Sequence, residues 1–420
     1  MRFGRKVGQD AIVASFPRTV EEHRAVVAAL LPPMPAEDVP IRQARGRVLA
    51  ADVVAAVSLP SFDNSAMDGY AVRAADLAGG GAASPVELPV IADIPAGRLD
   101  VPPLEPGTAH RIMTGAALPP GADAVVPVED TDGGIGRVRL TATPAPGAYV
   151  RYSGEDVRAG DVVLAAGTVL GPPQIGVAAA VGSVTVAVRR RPTVLVLSTG
   201  SELVAQGTAL QPGQIYESNG PMLAAAVEDA GGHAELLRFV PDDVEQFLDR
   251  LRRRLDAGRV DLVLTSGGVS AGAYEVVKDA FTGRGVEFVK VAMQPGGPQG
   301  AGSLAELGGV GVVTLPGNPV SSHVSFEVFV RPALRASFGH PYPDRPVVTA
   351  TLSERWTSPP GRRQFRRGVL DAVHGTVREV GTPASHLLGA LARAECLVIV
   401  PEDVTELDPG ARVEVLLLEP

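Results

Sequence analysis

Between residues 192 and 332 the apolar positions fall into short unbroken runs. Each run is followed by a glycine-rich stretch and then by a segment of helical period. Thr193–Ser198 reads Thr-Val-Leu-Val-Leu-Ser, without polar alternation, which suits a strand covered on both faces. It leads into Thr199-Gly200-Ser201-Glu202. Residues 260–265 form a second run, ending in Ser266-Gly267-Gly268-Val269-Ser270. Val310–Leu315 is a third, ending in Pro316-Gly317-Asn318-Pro319. In a parallel sheet all three loops emerge at the carboxyl edge, where open α/β sheets bind ligands. Val244, Phe247, Leu248, Leu251 and Leu255 make one stripe of a helix capped by Asp242 or Asp243. Another helix opens at Asn219, with Pro221 in its first turn. Strands alternating with helices predict a doubly wound α/β domain over residues 191–334.

The flanking chain has other periods. Thr19 with Glu22 three residues on forms a capping box, and Val20, Arg24, Val27 and Leu31 continue a helix that stops before Pro32-Pro33. From residue 71 to 150 short alternating strands broken by Pro and Gly predict a small β domain, with examples at 86–91, 107–112, 124–128 and Arg137–Leu140. Gly171-Pro172-Pro173 starts a further helix. Residues 151–190 are expected to pack with 19–60 as one discontinuous linker domain, leaving 61–150 as an inserted β domain. The last stretch, 335–420, reads as a C-terminal β domain with strands at Val347–Leu352, 368–371, Cys396–Val400 and 412–418. The fold class is therefore multidomain α/β plus β.

At 420 residues two to four domains are expected. A net charge of −9 argues against a general nucleic-acid binder. The single cysteine, Cys396, excludes a disulfide framework. No apolar run is long enough to span a membrane. The opening Met-Arg-Phe-Gly-Arg-Lys has no apolar core behind its charges, so a cytoplasmic protein is expected.

Several stretches, in order, resemble the molybdopterin molybdenumtransferases, the family of MoeA and the gephyrin E domain. They are Phe62-Asp-Asn-Ser-Ala-Met-Asp-Gly-Tyr-Ala-Val72, Ile112-Met-Thr-Gly-Ala, Gly121-Ala-Asp-Ala-Val-Val, Gly154-Glu-Asp-Val, Ser198-Thr-Gly-Ser-Glu-Leu203, Gly213-Gln-Ile-Tyr-Glu-Ser-Asn219, Ser266-Gly-Gly-Val-Ser270 and Leu315-Pro-Gly-Asn-Pro-Val320. The resemblance covers nearly the whole chain beyond residue 19. It implies a MogA-like central domain and a homodimer whose cleft is shared between subunits. It also implies an enzyme that binds adenylylated molybdopterin, molybdate and Mg²⁺, inserts the metal and releases AMP.

Phosphates and an oxyanion call for backbone N–H groups at glycine turns and helix starts. Candidate binding residues are Thr199, Gly200, Ser266, Gly267, Gly268, Ser270, Pro316, Gly317 and Asn318. The resemblance adds Gln294, Arg367 and Ser385 as ligand contacts. It assigns Glu202, Asp242 and Glu275 to the metal and to catalysis, with Lys290, and it brings Asp68 and Thr114 from the other subunit. Two departures stand out. Where the family has Gly-Glu-X-Asp, this chain has Gly272-Ala-Tyr-Glu275. Where the family has Lys-X-Ala-X-Lys-Pro-Gly-Lys-Pro, it has Lys290-Val-Ala-Met-Gln294-Pro-Gly-Gly297-Pro, two cations fewer. A non-catalytic pterin-nucleotide-binding scaffold is accordingly the alternative to an active insertase. An adenylyltransferase is a third reading, opposed by the extra domains that carry Asp68 and Arg367.

Overall fold

The structure, a computed structural model, describes residues 17–237, 243–267 and 276–418. The chain divides into two compact units, residues 1–36 with 189–420 and residues 37–188.

In the first unit six strands form one sheet, in the order His233–Leu237, Thr193–Ser198, Leu262–Ser266, Val310–Leu315, Pro298–Leu304 and Val286–Lys290. The first four are mutually parallel, so the three apolar runs end at one edge, as their sequence requires. Leu195, Leu197, Val263 and Val312 from the strands pack with Phe247, Leu251, Val277 and Phe281 from the helices. Each fully buried side chain of this kind contributes about 1.5–3 kcal/mol. The helix Val244–Ala257 starts at Asp243, whose carboxylate accepts from Gln246 N at 2.9 Å.

The last two strands are not foreseen in the sequence; Pro298–Leu304 runs antiparallel to both its neighbours, Val310–Leu315 and Val286–Lys290. Pro298–Leu304 carries glycine at 300 and 302. A Cβ at 300 would stand 2.2 Å from Thr314 Oγ1, and one at 302 would stand 1.9 Å from Gly285 O. The Thr314 and Phe288 side chains at 300 and the Gly285 backbone at 302 leave room only for glycine, which erases the usual strand signature.

The helix Val20–Ala29 has its capping box: Glu22 N donates to Thr19 Oγ1 at 3.1 Å, and Thr19 N donates to Glu22 Oε2 at 2.8 Å. Sequence grouped this helix with residues 151–190. It packs instead within the first unit, where the buried His23 ring stands edge-on to Phe329 at 4.8 Å. Neither ring nitrogen of His23 has a partner among the described residues, and burial, then the charge of Arg18, pulls its pKa down to about 4. An unfolded histidine titrates near 6.5, so the unfolded chain takes up a proton first as pH falls. The stability His23 contributes is therefore whole above pH ~6.5 and is lost towards pH 4, amounting to about 3 kcal/mol. Urea unfolding at pH 7 and pH 4.5 should show His23→Leu losing less stability on acidification than the parent. Equal losses would refute a neutral buried histidine.

Strands Arg363–Asp371, Thr376–Glu379, Val347–Leu352, Arg412–Leu417 and Cys396–Val400 pair in that order, and the last pairs back to the first. The five strands close a barrel around Leu352, Val377, Val398, Val400, Val413 and Val415.

In the second unit a five-stranded sheet runs in the order Ala124–Pro127, Gly69–Val72, Ala109–Ile112, Val86–Ile94 and Arg137–Leu140. It encloses Tyr70, Val72, Leu77, Val126 and Val138. A separate core draws Ala44, Leu49 and Val53 from before this sheet and Leu170, Ala178, Val181 and Val188 from after it. Among the described residues no helix is long and apolar enough to cross a membrane.

Candidate active site

The turns after the three central strands touch one another. Thr199 N donates to Ser266 O at 3.5 Å, and Gly267 N donates to Leu315 O at 3.0 Å. Gly267 has φ +94°, and a Cβ there would come within 3.1 Å of Thr199 O. Only glycine lets these two turns approach so closely. Asn219, in the first turn of the helix Asn219–Asp229, joins the other pair. Its Nδ2 donates to Ser266 Oγ at 2.8 Å and to Gly317 O at 2.7 Å. A carbonyl can only accept, so the amide orientation is fixed. Asn219 Oδ1 is left buried without a partner among the described residues, as is Ser198 Oγ. Buried polar atoms of this kind are rare and call for a ligand or water.

A cavity of about 1030 Å³ opens on these turns, the upper size range for sites that hold small molecules and cofactors. Its wall takes Ser198, Thr199, Gly200 and Glu202 from the first turn, Ser266 and Gly267 from the second, and Pro316, Gly317 and Asn318 from the third. Leu203, Ile215 and Tyr216 line it from a small two-stranded flap, Leu203–Val204 with Ile215–Tyr216. Gln294, the helix start at residues 217–219 and the loop carrying Ala384, Ser385 and His386 also line it.

That last loop leaves the barrel and is fastened on two sides. Asn318 Nδ2 donates to Ser385 Oγ at 2.9 Å, and Val320 N donates to Ser385 O at 3.2 Å. From behind, Arg367 donates to the carbonyls of Ala384, at 3.2 Å, and Thr382. Arg367 is buried, which lowers its pKa despite the opposing charge of Glu379. Its guanidinium holds the loop that brings Ser385 to the cavity, and it does not itself line the cavity wall.

The charge of the wall is unusual for an anion site. Among the described lining residues Glu202 and Glu217 are acidic, and none is Lys or Arg. Glu217 is buried and accepts from Gly220 N at 2.6 Å, so it already caps the helix it precedes. An oxyanion entering this space meets backbone N–H groups, hydroxyls, the Gln294 amide and His386. Lys290 is exposed at the end of its strand and is not part of the wall.

The structure thus brings together Thr199, Gly200, Glu202, Ser266, Gly267, Gln294, Pro316, Gly317, Asn318 and Ser385. Asp242, Gly268, Ser270 and Glu275 lie outside the described residues. Asp68 and Thr114 belong to the second unit and bind each other: Thr114 N and Oγ1 donate to Asp68 Oδ1 at 2.7 and 2.8 Å. Those two bonds hold the Asp68 carboxyl below its ordinary pKa. Sequence reasoning missed Ser198, Glu217 and His386 as wall residues. The first two flank the glycine turn and the helix start, so their position was a usable signal, whereas His386 had none. Among the described residues no three His, Cys, Asp or Glu side chains gather as a metal site.

Three family models match the chain in order. They are the MoeA N-terminal region (domain I and II) over 18–182, a probable molybdopterin binding domain over 195–336, and the MoeA C-terminal region (domain IV) over 349–418. "Molybdopterin molybdenumtransferase 2" of Mycobacterium tuberculosis is 56% identical over 408 residues, 95% of this chain and 99% of the relative. "Molybdopterin molybdenumtransferase" of a Nostoc species is 37% identical over 91% of this chain and 88% of its own length. The crystal structure of the molybdopterin biosynthesis MoeA protein from Pyrococcus horikosii superposes with a TM-score of 0.80 at 33% identity, covering 96% of this chain and 99% of that one. The chain therefore belongs to the molybdopterin molybdenumtransferase family, and it is a molybdenum-transferring enzyme of molybdenum cofactor biosynthesis.

Proposed function

We propose that the cavity binds adenylylated molybdopterin and molybdate, and that the chain couples Mg²⁺-dependent hydrolysis of the adenylate to metal insertion. Water cleaves the pyrophosphate and AMP leaves. One molybdate oxygen departs as water when the two dithiolene sulfurs bind the metal. The observation that supports this reading most is the meeting of three glycine turns and the Ser385 loop around one polar space. Glycine turns can bind phosphate through backbone N–H groups without a lysine.

Mg²⁺ takes one or two carboxylates and leaves its other positions to water and phosphate oxygens. Glu202 suits such an ion: it is exposed on the wall, and its carboxylate folds back over Gly200, where a Cβ would stand 2.6 Å from Oε2. Glu202 would hold the ion with Asp242 and Glu275. Bound there, Mg²⁺ supplies charge neutralisation to the phosphates during cleavage. Asp68 and Thr114 act from the second subunit of a homodimer, with the carboxylate held in place by its two bonds from Thr114. Lys290 contributes the remaining positive charge of its motif. The enzyme works in the cytoplasm.

The test is AMP formation from adenylylated molybdopterin by the purified chain. AMP should be absent in EDTA, return with Mg²⁺ and rise with molybdate. No AMP over a broad molybdate range with verified substrate would reject the reading in favour of a binding scaffold.

A further inference from the structure

Position 294 is where the family's motif carries a lysine and this chain an amide. Gln294 lies on the wall of the large cavity and, on its other side, against a small void of about 10 Å³ shared with Gln364, Arg366 and Arg367. Backbone pairing sets Gln294 beside Gln364, on the first strand of the barrel. Gln364 Nε2 donates to Gln294 Oε1 at 3.3 Å.

The surroundings decide which way these amides point. Arg366 and Arg367 can only donate. Arg366 is committed to a two-pronged bond to Glu379, at 2.9 and 2.6 Å, and to the Thr357 carbonyl at 3.1 Å. Arg367 Nε and Gln364 Oε1 are both buried without a partner among the described residues. One is a donor and the other an acceptor, and the void between their residues has room for about one water molecule to join them. Gln364 therefore keeps its oxygen towards the arginines and its NH2 towards Gln294. The Gln294 oxygen is then occupied, and its own NH2 is the end left for the cavity.

The same geometry explains why an amide suits this position. A lysine at 294 would place a third cation beside Arg366 and Arg367, with Glu379 already committed and a neutral residue at 364. Like charges at such range cost stability unless a carboxylate is added.

We propose that Gln364 is a positioning residue for molybdate binding. By holding the Gln294 oxygen, it presents the Gln294 NH2 to the cavity as an uncharged donor in place of an ammonium group. This rests on the reading of the cavity as the oxyanion site. Gln294 and Gln364 act as one unit, and the paired substitution Gln294→Lys with Gln364→Glu is the charged equivalent that would fit the same space.

Equilibrium dialysis of molybdate against the intact protein, with AMP and Mg²⁺ present, tests this. Gln294→Leu and Gln364→Leu should each weaken binding by about 3- to 10-fold, the worth of one neutral hydrogen bond, and the double variant should lose no more than either. Gln364→Glu, which keeps shape but can only accept, should turn the Gln294 amide round and weaken binding at least as much. Adding Gln294→Lys to Gln364→Glu should restore molybdate binding to parental strength or better and make it more sensitive to salt. A merely structural role for Gln364 predicts neither the loss with glutamate nor that rescue. Parental affinity in Gln364→Glu, parental affinity in Gln294→Leu, or additive losses in the double leucine variant would overturn the proposal. A parent protein that binds neither molybdate nor AMP would instead overturn the reading of the cavity, and this proposal with it.

Discussion

Glu202→Gln is expected to lower single-turnover AMP formation by about 100- to 1,000-fold, the range found when one group stabilising transition-state charge is removed. The reason is local. Glu202 is an exposed carboxylate on the wall formed by the first glycine turn, and no ion pair occupies it among the described residues. Glutamine has nearly the same size and keeps an oxygen, but it lacks the charge with which the proposed site would hold Mg²⁺. An exposed substitution of this kind should change unfolding free energy by less than about 0.5 kcal/mol. The comparison to make is AMP formed in one turnover at saturating Mg²⁺, beside a melting curve. Turnover within threefold of the parent would remove Glu202 from the catalytic account. A large drop in melting temperature would mean that the residue serves the fold.

Glu327→Ala should have the largest effect on stability, a loss of about 3–5 kcal/mol, because it takes the buried carboxylate from two buried guanidinium groups and leaves them only the more exposed Asp229. Glu327 lies on the single π turn Phe326–Val330, and its side chain is 1% exposed. Arg345 grips it with Nε at 2.9 Å and Nη2 at 3.2 Å. Arg345 also donates to Asp229 at 2.9 Å, and Arg331 reaches the same Asp229 oxygen at 2.8 Å. Burial works against the charge on Arg345, but the bonds and charge of Glu327 and then Asp229 outweigh it and raise its pKa. The network ties the end of the helix Asn219–Asp229 to the segment that enters the barrel, and so fixes the barrel that carries Ser385. Urea unfolding of Glu327→Ala beside Glu406→Ala measures this. Glu406 pairs with Arg355 at the surface, both about 60% exposed, and its loss should cost under about 1 kcal/mol. Equal costs at the two sites would show that the buried cluster contributes nothing special.

The legible parts of the fold were those whose signal is local. Unbroken apolar runs at Thr193–Ser198 and Val310–Leu315 announced buried parallel strands, and Thr19 with Glu22 announced a helix start. The helix Val20–Ala29 is legible as a helix but its packing partner is not, because the contact of His23 with Phe329 joins residues some 300 positions apart. Pro298–Leu304 was unreadable for a different reason: Gly300 and Gly302 are set by the closeness of neighbouring strands, which no local pattern encodes. At the site, the glycine turns were visible because each follows a strand. Arg367 stood out as a cation beside the site, yet burial turns it to the carbonyls of Thr382 and Ala384. Gln294 is legible in the sequence as a missing charge, while its tie to Gln364 depends on a strand pairing between distant segments.

The direct measurement is a crystal structure of this protein with molybdate and AMP, collected above the molybdenum absorption edge. The account predicts an anomalous peak inside the cavity, within hydrogen-bond reach of the Gln294 amide, Ser385 or the turns at Gly267 and Gly317. A molybdenum peak elsewhere with this cavity empty at saturating molybdate would contradict it.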